Sequence, residues 1–440
     1  MTQHWFDQAP EHWEIKRLKY SVESAVNGVW GDEPTGDDTD VLCVRVADFD
    51  RSRMRVSDDI QTLRHVSERD LANRRLQPGD LLLEKSGGTP RNPVGFVAIF
   101  EGADRPAVCS NFISRIRVAP GNDPRFWLYA HTASYATRLT ERSLHQTTGI
   151  QNLDQQSYFD EHFPYPPLCE QHIIAQYLDR ETSQIDELID EQYSLVSMLR
   201  ARRTALVERA VSRGLSSSFE LRSSGLSWAP KVPAHWGVAN IRRFAQMKTG
   251  HTPSRSKPEF WDNCTIPWMT LADVWQLRPG KDMYIQDTES KISALGLANS
   301  AAELLPAGTV VLSRTASVGF SGIMPEPMAT SQDYWNWVCG PDLMPEYLVW
   351  LFRAMRQEFN ALMMGSTHKT IYQPIAAAIR IPVPPRDEQQ AIVDYIVEHT
   401  ARIDELIAES ECLVKLSLER RSALITAAVT GQIPLQDMRN

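Results

Sequence analysis

The sequence predicts an α+β protein in which two mixed α/β modules alternate with two long helices that form an antiparallel coiled coil. Three observations carry this expectation. A proline-rich stretch and the residues after it recur further along the chain in one ungapped register. Apolar residues inside that repeat fall at helical spacing. Short runs rich in β-branched and aromatic residues, separated by Gly, Pro and Ser, fill the remainder.

The repeat is plain at the residue level. FPYPPLCEQHIIAQYL, from Phe163, aligns with IPVPPRDEQQAIVDYI, from Ile381, so Pro164 meets Pro382 at an offset of 218. In the same register Glu170–Gln171 meets Glu388–Gln389, Ile185-Asp-Glu-Leu-Ile189 meets Ile403-Asp-Glu-Leu-Ile407, and Arg202–Arg203 meets Arg420–Arg421. Upstream the match is looser. His12–Trp13 follows Pro10 as His235–Trp236 follows Pro233, and Gly79-Asp-Leu-Leu-Leu corresponds to Gly308-Thr-Val-Val-Leu. The chain therefore divides into a first module at 1–165, a helix at 166–214, a second module at 215–383, a helix at 384–431 and a tail at 432–440.

The helices follow from spacing and from their starts. Ile174, Leu178, Ile185, Leu188, Leu195, Leu199 and Leu206 recur at intervals of three, four and seven. Ile392, Ile396, Ile403, Leu406, Leu413 and Leu424 do the same in the second copy. Such spacing makes an amphipathic helix with a coiled-coil seam. Each begins after a Pro-Pro pair followed by acidic residues, which suit a helix N-terminus. From Leu168 to Arg213 the first would run ~70 Å at 1.5 Å per residue, too long to bury its stripe on one small module. The two copies are expected to pack on each other, antiparallel because a whole module returns the chain. Together they hold 17 acidic against 11 basic residues, so they account for most of the net charge of −9.

In the modules, strands are expected at Val41–Val46, Leu81–Leu83, Phe96–Ile99, Val310–Leu312 and Trp335–Val338. Polar loops punctuated by glycine follow the equivalent strands: Lys85-Ser-Gly-Gly-Thr-Pro-Arg91 in one module, Arg314-Thr-Ala-Ser-Val-Gly319 in the other. A cation beside small hydroxyl residues at a strand end suits phosphate contact or base-edge readout. His145-Gln-Thr-Thr-Gly-Ile150 and Ser366-Thr-His-Lys-Thr-Ile371 are similar in kind, each lying before a helix entry. Asn27-Gly-Val-Trp-Gly31 and Arg45-Val-Ala-Asp48 occupy the region that Thr249-Gly-His-Thr-Pro-Ser-Arg-Ser-Lys257 and Ile266-Pro-Trp-Met-Thr270 hold in the second module.

Composition and motifs exclude several classes. No apolar run approaches the roughly 20 residues that cross a bilayer, and the start carries no secretory h-region, so a cytoplasmic protein without membrane contact is expected. The six cysteines form no C-x-x-C pair and the histidines no metal-ligand spacing. Neither a P-loop nor G-x-G-x-x-G is present, nor is the Asn/Asp-Pro-Pro-Tyr/Phe tetrapeptide of amino-methyltransferases. Asp80 and Glu84–Lys85 do not make a nuclease cluster, because adjacent strand residues face opposite ways and the second copy has Thr309, Ser313 and Arg314 instead.

Gly250-His-Thr-Pro-Ser254 with Ile266-Pro-Trp268, the Gly79-Asp-Leu-Leu-Leu strand leading to Ser86-Gly-Gly, and two P-x-P-P-x-x-E-Q helix starts followed by I-D-E-L-I give the chain its family pattern. It resembles the specificity subunits of type I restriction-modification systems, over nearly its whole length. The resemblance implies two target-recognition domains, each reading one half of a bipartite asymmetric site in double-stranded DNA, with helices that set the spacing. It further implies two docked adenine-N6 methyltransferase subunits and ATP-driven restriction/translocase subunits. S-adenosylmethionine, ATP and Mg²⁺ would belong to those partners, leaving this chain non-catalytic and without a cofactor. DNA contacts are expected from Lys85, Ser86, Arg91 and Thr147 for one half-site. Arg255, Arg314, Ser317, His368 and Lys369 are expected to serve the other. Two alternatives fit the residues: a related bipartite system with methylation and cleavage in one partner, and a scaffold whose modules bind peptides.

Overall fold

The computed structural model describes residue 6 and residues 9–89, 92–147, 150–278, 282–315, 317–363 and 370–439. The chain forms two compact units. One comprises Met1–Tyr193 with Glu411–Asn440, the other Ser194–Ser410. Each unit thus holds one module, part of the long helix Leu168–Arg213 and part of the long helix Arg386–Val429.

The two modules share a strand plan. In the first unit a six-stranded sheet begins Val22–Asn27, Ile113–Val118, Leu81–Glu84, Val97–Ile99. In the second a four-stranded sheet runs Ala245–Thr249, Tyr334–Cys339, Val310–Ser313, Ser321–Ile323. Leu81 lies opposite Ile116 and Ile99, and Val310 opposite Trp337 and Ile323. Leu81–Glu84 and Val310–Ser313 are buried throughout, which explains why they read as continuous apolar runs and not as alternation. A small side sheet repeats as well: Ala107–Cys109 pairs parallel with Val41–Val44, and Ala329–Thr330 pairs parallel with Ile266–Met269. The first of these strands stops at Val44, short of the expected Val46. Val46 opens a 3₁₀ turn, because the Asp48 carboxylate accepts from the Arg45 backbone N–H at 2.7 Å. Thr270 and Asp273 form the same cap at 2.8 Å.

The recurring helix-entry motif ties each module to its helix. Glu170 accepts from the Trp13 indole (2.7 Å) and meets His12 (3.0 Å), and Glu388 does the same for Trp236 (3.0 Å) and His235 (2.7 Å). Gln171 accepts from the backbone N–H of Asp123, the N-cap of helix Pro124–Ala136, and Gln389 accepts from that of Met344, before helix Pro345–Ala354. Both glutamines are fully buried, so each must find partners for its amide. Glu14–Arg17 pairs with His162–Tyr165 and Gly237–Asn240 with Arg380–Val383, closing each module at the helix start.

Within the first unit, Ile174, Ala175 and Leu178 share a core with Ile425, Ala428 and Val429. Within the second, Val207, Ala210 and Val211 share one with Ile392, Val393 and Ile396. The buried stripe departs from the expected one. Leu188, Leu195, Leu406 and Leu413 are exposed, while Ile189, Val196 and Val414 are buried. A straight helix turns 3.6 residues per turn, so a strict seven-residue count drifts off the buried face within a few turns. No helix among the described residues is long and apolar enough to cross a membrane.

Candidate nucleic-acid interface

In both modules the central buried strand delivers a cation at its end. Lys85 follows Leu81–Glu84. Its Nζ donates to the Asn27 side-chain oxygen at 2.5 Å, and burial lowers its pKa. Arg314 follows Val310–Ser313. Its guanidinium stacks over Trp335 at 4.4 Å, and burial lowers its pKa while Asp333 pushes the other way. The Arg314 Nε is sealed from solvent without a hydrogen-bond partner. Burial thus leaves both cations partly stripped of water, and Lys85 also borders a polar cleft.

The loops beyond these cations are joined to the hairpins flagged in the sequence. Ser86–Gly87 pairs with Gln151–Asn152, which belongs to the hairpin Leu144–Thr147 and Ile150–Leu153. The Ser86 hydroxyl donates to Asn152 at 2.6 Å. Ser86 and the Thr147 backbone therefore come together on one three-stranded sheet, and the Lys85 carbonyl at its edge accepts from the Leu153 N–H at 2.8 Å; Arg91 lies outside the described residues. In the second unit Thr315 bridges to Thr370, and the Thr370 hydroxyl donates to the Arg314 carbonyl at 2.8 Å. Arg314 is thus fixed beside the segment that leads to His368 and Lys369, two residues outside the described set. Ser317 lies on the turn after Arg314, half-buried.

Arg255 belongs to a separate loop. It is exposed and stacks on Trp261 at 5.7 Å, and Thr252 of that loop donates to Gln332 at 2.7 Å. Gly250 lets the loop leave its strand: a Cβ there would lie 2.2 Å from the carbonyl oxygens of Thr330 and Ser331. Gly28 does the same against Cys109 and Ser110, at 2.1 and 2.2 Å. Gly28 is therefore the counterpart of Gly250, although the flanking sequences differ.

Several partners escaped the sequence reading. Asn27 accepts from Lys85, and its backbone carbonyl accepts from Arg74 at 3.0 Å. Lys19, Asn27, Arg74, Lys85 and Gln155 line a cavity of about 710 Å³. Asp333 orders the other loop by accepting from Thr315 and Ser331. Only Asn27 had a local signal, the Asn-Gly pair; the others meet their partners across strands.

The acidic residues near these cations have structural roles. Asp80 accepts two hydrogen bonds from Arg117, at 2.8 and 2.9 Å, and Glu84 pairs with Arg51 at 2.5 Å. Among the described residues, no group of three His, Cys, Asp or Glu is placed to hold a metal ion.

Residues 233–411 match the family model of the type I restriction modification DNA specificity domain. The MjaIX specificity subunit of Methanocaldococcus jannaschii is 28% identical over 43% of this chain and 43% of its own length. That match spans less than half of the relative. The putative MjaX specificity subunit of the same organism is 21% identical over 97% of this chain and 95% of its own. A solved chain described in terms of the complex assembly and conformational transition of the type I R-M system shares the fold with a TM-score of 0.72, at 15% identity, covering 97% of this chain and 100% of its own. The HsdS subunit of Thermoanaerobacter tengcongensis gives 0.52, at 15% identity, over 97% and 98%. The fold is a duplicated module with two long helices, the fold of those solved chains. The chain is thus similar to type I specificity subunits in sequence, most strongly over residues 233–411, and shares their fold over nearly its whole length.

Proposed function

We propose that this chain directs a type I restriction-modification complex to one bipartite, asymmetric sequence in double-stranded DNA. Each module reads one half-site, and the long helices set the gap between the halves and dock two methyltransferase subunits. The observation that carries this reading is the paired strand-end cation. Lys85 and Arg314 occupy the same place in the same strand plan, yet one faces Asn27 and the other Trp335. A common scaffold with different surroundings suits two readers of different sequences, since side-chain geometry at the base edge decides the base.

The helices support the second half of the proposal. Arg421 pairs with Asp186 (2.8 Å) in the first unit, and Arg203 pairs with Asp404 (2.8 Å) in the second. These are the same two repeat positions with the copies exchanged, as an antiparallel coiled-coil pair requires. Leu188, Leu195 and Met198 on one helix and Leu406, Leu413 and Leu416 on the other are exposed at the same offset of 218. Repeated exposed apolar side chains suit two copies of one partner. On this reading the chain is non-catalytic. S-adenosylmethionine, ATP and Mg²⁺ serve the methyltransferase and the restriction/translocase subunits.

Lys85, Ser86, Arg91 and Thr147 are assigned to one half-site, and Arg255, Arg314, Ser317, His368 and Lys369 to the other. The test is methylome mapping of cells that express the chain with its methyltransferase partner. An interrupted motif of two short halves is expected. Lys85→Ala should relax one half and Arg314→Ala the other, and a motif unchanged by both substitutions would remove these residues from the reading.

A further inference from the structure

The repeat positions that bear the ion pairs Arg421–Asp186 and Arg203–Asp404 sit beside cavities in their respective units, and the two cavities differ. In the first unit, every arginine of the lining has a carboxylate: Arg53 with Asp190, Arg55 with Glu101, Arg125 with Glu101 and Asp179, Arg421 with Asp186. Thr132, eight residues into helix Pro124–Ala136 counted from Pro124, donates to the Met54 sulfur at 3.1 Å.

In the second unit the equivalent of Thr132 is Arg353, eight residues on from Pro345. It lines a cavity of about 360 Å³ with Arg203, Glu208, Leu277, Phe320 and Trp350. The Arg353 guanidinium stacks on Trp350 at 5.0 Å, and its Nε and Nη2 are sealed from solvent with no hydrogen-bond partner. Burial pushes it down to about 10, and neighbouring Arg203 pushes the same way. Arg203 is already committed to Asp404. Buried N–H donors left unmet are costly, so native structures satisfy them.

We propose that this pocket is a carboxylate receptor, filled by an acidic side chain that a docked partner protein presents next to an apolar residue. A carboxylate matches the planar fork of a guanidinium and can accept from two of its N–H groups at once. Leu277, Phe320 and Trp350 supply walls for an apolar neighbour. Arg356 also lines the cavity, stacked on Phe320 at 4.8 Å. A phosphodiester has no apolar stem to fill these walls. That the occupant belongs to a partner protein rests on the docking role proposed above; the chemistry of the pocket does not.

The test uses the full chain alone. Calorimetric titration compares the hexapeptide acetyl-Ala-Leu-Glu-Leu-Ala-Ala-amide with its Gln counterpart and with inorganic phosphate. The Glu peptide is expected to bind about tenfold or more tightly than the Gln peptide. Arg353→Met should erase that difference, and Arg353→Lys, which keeps the charge without the fork, should lose most of it. Glu208→Gln should preserve or strengthen Glu-peptide binding. Equal binding of the two peptides, a difference that survives Arg353→Met, loss of binding in Glu208→Gln, or phosphate binding as tight as the Glu peptide would each overturn the proposal. None of these results bears on the methylation motif, so the pocket and the DNA reading stand or fall separately.

Discussion

Lys85 and Arg314 were legible as candidate contacts because a buried apolar run ending in a cation is a local pattern. What surrounds them was not. Asn27 and Trp335 reach those cations from neighbouring strands, and sequence spacing carries no record of that meeting. For Arg314→Ala, if the side chain reads a guanine edge, a loss of about 1–3 kcal/mol in discrimination at one position is expected. Methylation frequencies at variant half-sites measure it. Gly250→Ala is expected to act differently, on stability and not on base preference. Its Cβ would collide with backbone oxygens at 2.2 Å, and relief of such overpacking costs about 1–3 kcal/mol, read as a lower urea midpoint. His131 offers a pH handle. It is fully buried against Tyr158 at 2.8 Å, and burial lowers its pKa from 6.5 to about 3. The unfolded chain then binds this proton first. The stability it contributes is complete above about pH 6.5 and drains away as pH falls toward 3. Between pH 7 and pH 5 the loss is about 2 kcal/mol. Urea unfolding of His131→Gln should show a smaller drop than the native chain over that interval; an identical drop would rule His131 out as its source.

At the scale of elements, both long helices were legible almost to their ends, because Pro-Pro pairs and acidic residues mark their starts and the periodicity runs on without Gly or Pro. The face they bury was only half legible. Leu188 and Leu195 fit a seven-residue count as well as Ile189 and Val196 do, and only packing distinguishes them. The misassigned leucines are the informative ones, since they are the residues free to meet another chain. Leu413→Lys with Leu416→Lys is therefore expected to change stability by no more than about 0.5 kcal/mol, as substitutions at exposed positions do. On the proposed docking role, the same pair should abolish co-purification of a methyltransferase subunit. Retained co-purification would place the docking surface elsewhere.

At the scale of the whole molecule, the duplication was legible, but which residues each module takes from the other repeat's helix was not. Each compact unit takes helix from both repeats, so the last thirty residues complete the core of the first module. Ile425, Ala428, Val429 and Met438 are buried there, among residues that begin with Trp13. That pairing joins the two extremes of the sequence, where local propensity is silent. It also sets a clock. A ribosome emits about 5–20 residues per second, so the first module waits about 10–40 s, while Ser194–Ser410 is made, before its closing segment exists. During that interval the surface that Ile425 and Val429 later cover is expected to be open to proteases and chaperones. Nascent chains stalled after Ser410 should be cleaved within residues 1–193 far faster than released full-length protein. Equal resistance would mean that the first module closes without its distant partner. On that expectation synthesis time is a vulnerable period for the first half of this chain, and a slow stretch of translation through the second unit would lengthen it.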